Sequence, residues 1–180
     1  RAVPSSVELF GWGRTAPSGA DVRRPTSPIE LQRALPTSFE RGLIARGLGR
    51  SYGDAAQNAG GTVIETTDVA AFTIHESDPN SDTVLVTADA GASIDRLLHA
   101  LVPQGLFVPV TPGTRYVTVG GAIAADIHGK NHHLKGSWCN HVVSLHLQLA
   151  DGSVVEIGPD RDPELFWATA GGMGLTGVIL

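Results

Sequence analysis

Residues 110–133 read VTPGTRYVTVGGAIAADIHGKNHH, and the reading of this stretch decides the fold. An apolar run at residues 106–110 leads into it as an expected strand. The chain turns at Pro112-Gly113 and extends through Val117 and Val119 to the pair Gly120-Gly121. A short helix is expected from residue 122 to 125, followed by a histidine-bearing loop. Glycine lacks a Cβ, so backbone can lie close to a ligand. Free N–H groups at a turn and a helix start suit an anion. Together these features make the stretch one wall of a ligand cleft.

A second glycine-bearing loop lies upstream. The expected strand at residues 43–45 runs directly into Arg46-Gly47-Leu48-Gly49-Arg50-Ser51-Tyr52-Gly53-Asp54. Backbone N–H groups and the Ser51 hydroxyl would receive a phosphate here. A plain surface turn is the competing reading. The glycine spacing is not that of a dinucleotide fingerprint, and no Gly-Lys-Ser/Thr closes the loop.

Around these loops the elements are short. Ser27-Pro28-Ile29-Glu30 opens a helix expected to end near residues 41–42, with Ile29, Leu31, Leu35 and Phe39 on its apolar face and Pro36 interrupting it. Strands are expected at residues 62–65, 72–75 and 83–87, with a turn at residues 78–81. Ser93 caps a helix whose residues Ile94, Leu97, Leu98 and Leu101 follow the helical period. Asp151-Gly152 turns a hairpin between residues 142–149 and 153–157. Asp162-Pro163 opens a helix on which Phe166 and Trp167 read as core. Residues 175–180 read as a last strand. Residues 1–28 read as mostly irregular.

Bulk composition narrows the class. The 180 residues are 42% hydrophobic and 17% charged, a globular balance. A net charge of −5 disfavours nucleic acid as a partner. The single cysteine, Cys139, excludes an intrachain disulfide and reads as a small buried hydrophobe. No apolar run is long enough for a bilayer span, and no signal peptide is legible. Three histidines fall at 128, 132 and 133; without an HExxH frame they read as ligand contacts or surface groups, and no metal is expected. Lys130 would meet a phosphate or an anionic substrate, or be a solvated lysine. Asp126 reads as a cap or acceptor.

The motifs GWGRTAPS (11–18), ARGLGRSYGDAAQNAGG (45–61), PGTRYVTVGGAIAADIHGKNHH (112–133) and ELFWATAGGMGLTG (164–177) resemble the FAD-binding domain of the vanillyl-alcohol-oxidase-like flavoproteins. Within that family they are most similar to the actinobacterial branch that oxidises polyprenyl-phosphate sugars in cell-wall arabinan precursor synthesis. The resemblance implies an α+β, two-lobed FAD-binding domain of the vanillyl-alcohol-oxidase or PCMH type. Residues 1–26 would form an N-terminal arm, 27–109 the first lobe and 110–180 a truncated second lobe, the substrate domain being absent.

It implies FAD contacts at Arg46, Gly47, Leu48, Gly49, Arg50, Ser51 and Tyr52. Further contacts are implied at Pro112, Gly113, Thr114, Val117, Thr118, Gly120, Gly121, Ala124, Ile127, His128, Gly129 and Asn131, and at Gly177, Val178 and Ile179. Lys130, His128 and Tyr52 would carry catalysis beside the substrate pocket. Many family members tether the flavin through a histidine just before the loop serine. Arg50 stands there, which implies noncovalent FAD. The implied reaction is oxidation of a ribose 2′-hydroxyl to the ketone, with a polyprenyl-phosphate sugar as substrate and an NADH-dependent keto-reductase subunit as partner. An alditol or aldonolactone oxidase, or a noncatalytic flavin-binding module, are the other readings. The expected location is cytoplasmic or periplasmic, at the inner membrane without a span.

Overall fold

The structure, a computed structural model, describes residues 6–34, 41–76 and 80–180. A four-stranded sheet forms the first lobe. It contains β1 (Val7–Leu9), β2 (Ser18–Arg23), β3 (Leu43–Arg46) and β4 (Thr62–Glu65), in the order β1-β2-β4-β3. β1 and β2 pair antiparallel; β2, β4 and β3 run parallel. Parallel neighbours need a crossover, and α1 (Pro28–Arg33) lies in the one between β2 and β3. Its start is as expected: the Ser27 side chain accepts from the Glu30 N–H, and proline occupies the first turn. Leu31 is buried, but Ile29 is exposed. Leu35, Pro36 and Phe39 lie outside the described residues, as do residues 78 and 79 of the expected turn.

Residues 1–28 are not an irregular arm throughout, because β1 and β2 belong to the sheet. Their alternation is weak: Leu9 and Ala20 are buried in these strands, while the other positions are small, polar or part-exposed. That leaves no period-two signal to read.

The rest of the chain builds around a second sheet. A hairpin of β5 (Phe72–Ile74) and β6 (Val86–Ala88) precedes α2 (Ile94–Leu101). Ser93 caps α2 through the Arg96 N–H. Ile94, Leu97 and Leu101 are buried, each worth roughly 1.5–3 kcal/mol of apolar burial. Next come α3 (Val119–Ala124), α4 (His132–Lys135), β7 (Leu145–Gln148), β8 (Val154–Ile157), α5 (Pro163–Thr169) and β9 (Val178–Ile179). β7 is central and pairs antiparallel with β8 and β9.

One apolar cluster joins the β5–β6 hairpin, α2 and α3 to this sheet and to Phe166. The packing therefore crosses the 109/110 boundary drawn from the sequence. Val178 of β9 packs instead with Leu31, Ile64 and Val69, fastening the second sheet to the first lobe. Gln148 Nε2 adds a hydrogen bond to Gln32 O at 3.0 Å.

Three further expectations need correction. Among the described residues, 106–110 pair with no strand; Pro109 has no N–H, and Val108 and Val110 are buried from an irregular segment. Of residues 175–180, only Val178 and Ile179 enter the sheet. Trp167 is 45% exposed, its ring edge-on to the buried Phe166.

Candidate functional site: a cleft between the lobes

β3 delivers the loop at residues 47–52 to the face where the lobes meet. Arg46 braces it. Its guanidinium donates to Ala56 O at 3.0 Å and to Phe10 O at 2.8 Å, bracing the loop and the N-terminal segment. Burial depresses the Arg46 pKa; nearby Arg50 lowers it further and Glu65 opposes both. Gly49 takes a left-handed conformation at φ +65°, which turns the loop over this brace.

Among the described residues, the N–H groups of residues 47–52 have no hydrogen-bond acceptor. Six successive amides without partners on a part-buried turn are costly unless a ligand or solvent receives them. Such a row is an anion nest.

The start of α3 behaves differently from expectation. Val119 N donates to Ala92 O at 2.7 Å, Gly120 N to Ala90 O at 2.8 Å and Gly121 N to the Thr118 hydroxyl at 3.1 Å. These first-turn donors are already occupied, so α3 offers a close-packed wall rather than an anion site. A Cβ on Gly120 would stand 2.9 Å from that of Ala90.

The loop and α3 line the two sides of one open cleft. Arg46, Gly47, Leu48, Gly49, Arg50 and Ser51 line one side. Val117, Thr118, Gly120, Gly121, Ala124 and Ile127 line the other, with Gly177 and Ile179 at the β9 end. The other expected residues do not line it: Tyr52, Pro112, Gly113, Thr114, Val178, His128, Gly129, Asn131 and Lys130. Tyr52, His128 and Lys130 are exposed. Gly129 is buried against Thr111 O, and the Asn131 amide donates to Pro109 O. Val178 faces the junction cluster.

Sequence reasoning missed Ala45, Ala55, Ala56, Thr66, Ala90, Ala125, Met173 and Gly174. Isolated alanines give no local signal. The GGMG run at 171–174 did give one: Gly171 N donates to Ile123 O and Met173 N to Ala124 O, closing the C-terminal end of α3.

Arg46 and Arg50 are the charged residues of the lining, and no carboxylate joins them. Such a lining favours a phosphate-bearing guest. Histidine, cysteine and tyrosine are absent from it as well. Cys139 is fully buried, with its Sγ 3.6 Å from Ile123 O. Burial, then the Asp126 carboxylate, raises its pKa far above the usual thiol range. It remains a neutral thiol, as a small core residue. Asp126 is the expected acceptor, receiving the Cys139 N–H at 3.0 Å. The rings of His128, His132 and His133 form an exposed chain of edge contacts at 5.6 and 5.9 Å. Among the described residues, no group of three His, Cys, Asp or Glu side chains could hold a metal ion, and no helix is long and apolar enough to cross a membrane.

Two α/β lobes closing small-residue walls and an unpaired amide row around one cleft suit a phosphate-bearing cofactor. The chain belongs to the FAD binding domain family, whose model matches residues 20–158. FAD is therefore the cofactor, and the α+β fold of the vanillyl-alcohol-oxidase type is the one expected.

Over 182 residues the chain is 57% identical to decaprenylphosphoryl-beta-D-ribose oxidase of Mycolicibacterium smegmatis, covering 98% of this chain and 38% of that protein. It is 31% identical to cytokinin dehydrogenase 8 of Oryza sativa subsp. indica, covering 98% and 36%. It is 30% identical to D-lactate dehydrogenase of Archaeoglobus fulgidus, covering 79% and 32%. The chain thus spans less than two fifths of the length of each of these relatives.

Proposed function

We propose that the protein is an FAD-dependent oxidoreductase that oxidises the 2′-hydroxyl of a polyprenylphosphoryl ribose to the 2′-ketone, with this chain forming its cofactor cleft. The observation that carries the cofactor role is the row of unpaired amides at residues 47–52, of which residues 47–51 line the cleft together with Arg46. The substrate assignment rests on the 57% identity to a decaprenylphosphoryl-ribose oxidase over nearly the whole chain.

In this reading the amides of residues 47–52, with the Ser51 hydroxyl, hold the pyrophosphate. Val117, Ala124 and Ile127 exclude water from the rest of the cofactor. Bound FAD supplies the hydride acceptor. The lining offers no carboxylate, histidine or lysine, so the group that takes the hydroxyl proton stands outside the cleft walls. Tyr52, His128 and Lys130 are exposed beyond those walls, where they would meet the substrate. Arg50 stands just before Ser51, where many members of the family carry the tethering histidine, and this supports a noncovalently held cofactor.

A 2′-ketone needs a separate hydride donor to return to an alcohol, and an NADH-dependent keto-reductase subunit is the proposed partner. Work on a lipid-linked sugar would place the protein at the cytoplasmic or periplasmic face of the inner membrane.

Two measurements on the full-length protein test this reading. Acid precipitation should release all the flavin into the supernatant; colour retained in the pellet would refute noncovalent binding. Anaerobic polyprenylphosphoryl ribose should bleach the flavin absorbance. Bleaching by alditols or aldonolactones but not by the lipid-linked sugar would overturn the substrate.

A further inference from the structure

A short strap from the N-terminal segment lies along the amide-bearing loop. Trp12 N donates to Ser51 O at 2.7 Å, and Gly13 N to Tyr52 O at 3.2 Å. Glycines make this approach possible. A Cβ on Gly11 would overlap Gly53 O and lie 2.6 Å from Ser51 O; one on Gly13 would lie 2.6 Å from Tyr52 O. The indole of Trp12 is stacked on the Arg50 guanidinium, 5.0 Å from its centre. Arg50 in turn donates through Nη1 to Leu48 O.

A trans peptide unit points its C=O and N–H in opposite directions. Drawing Ser51 O toward the strap therefore turns the Tyr52 N–H away from it. Drawing Leu48 O toward Arg50 does the same for the Gly49 N–H. The orientation of two amides in the row thus depends on groups reached from Trp12.

We propose that Trp12 is a positioning residue for the cofactor: stacked on Arg50, it preorganises the amide row at residues 47–52 for the pyrophosphate without touching it. Ordering the loop before binding removes that cost from the binding step. The strap contributes through the aromatic face as well as through bulk, since a cation over an indole is held by the ring quadrupole. This inference rests on the loop at residues 47–52 receiving the pyrophosphate. Protection of the amides of residues 47–52 from hydrogen exchange when FAD binds the unmodified protein tests that premise separately.

The experiment compares FAD dissociation constants of the deflavinated full-length protein, by recovery of quenched flavin fluorescence, with apoprotein melting temperatures measured alongside. Trp12→Leu keeps apolar bulk without a π face; Trp12→Phe keeps the face. Trp12→Leu should weaken FAD about two- to fivefold while its apoprotein melts as the unmodified one does. Trp12→Phe should recover most of the loss. Unchanged affinity in Trp12→Leu would overturn the proposal. So would a loss equal in both variants, or one accompanied by a matching fall in apoprotein melting temperature. If Trp12→Leu does not fold, Trp12→Phe against Trp12→His decides. A histidine at pH 8 offers a weaker face and should bind FAD less tightly than phenylalanine; equal affinities would refute the stacking role.

Discussion

Gly47→Ala should bind FAD about 10- to 100-fold more weakly than the unmodified protein. The added Cβ overlaps Thr118 Oγ1 and comes within 3.0 Å of its Cγ2 and 3.1 Å of its Cβ. Rotating Thr118 cannot relieve this, because its Cβ is among the atoms approached. Thr118 is also 2% exposed and capped onto Gly121 N. The two walls of the cleft must separate, and overpacking of this kind costs about 1–3 kcal/mol, with each 1.4 kcal/mol a tenfold change in affinity. Gly47→Ala combined with Thr118→Ala should recover part of the loss, since the Oγ1 and Cγ2 contacts are removed while the 3.1 Å approach to the Cβ remains and the cap is lost. A double-mutant cycle on FAD affinity reads this coupling. Additive effects would show that residues 47 and 118 do not meet across the cleft.

Gly91→Ala should act on the fold first. Gly91 is buried beside the turn after β4, and its N–H donates to Val69 O at 3.1 Å. A Cβ there overlaps both Thr66 O and Val69 O, which are backbone atoms without rotamers to escape into. Thr66 and Ala90 both line the cleft, so the displacement opens the floor between the lobes. A loss of about 3 kcal/mol is expected, or roughly 6–12 °C in melting temperature for a domain of this size. Thermal unfolding of the apoprotein measures it. A melting temperature within a degree of the unmodified protein would contradict the packing described at this turn.

Much of this was legible because the deciding signals were local. Ser27-Pro28, Ser93 and Asp162-Pro163 each cap a helix where expected, and the Asp162 carboxylate accepts from Leu165 N. Asp151-Gly152 turns the β7–β8 hairpin, with the Asp151 carboxylate receiving the Ser153 N–H and hydroxyl. These two hydrogen bonds, to the Ser153 side chain and backbone, hold the Asp151 pKa below the usual carboxylate range. What local signals could not show was pairing. Residues 106–110 look like a strand by composition yet face no partner, while residues 18–23 look irregular yet lie between two strands.

The site divides on the same line. Glycines announced the loop at 47–52 and the turn into α3. Which donors were free was a tertiary fact, since Ala90 and Ala92 carbonyls, supplied from a distant segment, had already taken those of α3. Tyr52, His128 and Lys130 carry the chemistry a reader notices first, and all three lie outside the cleft.

Hydrogen exchange of the backbone amides, with and without FAD, tests the central claim most directly. Residues 47–52 should exchange rapidly in the apoprotein and become strongly protected when FAD binds. Residues 119–121, bonded already, should change little. Protection that arose at the start of α3 while residues 47–52 stayed open to exchange would contradict the account.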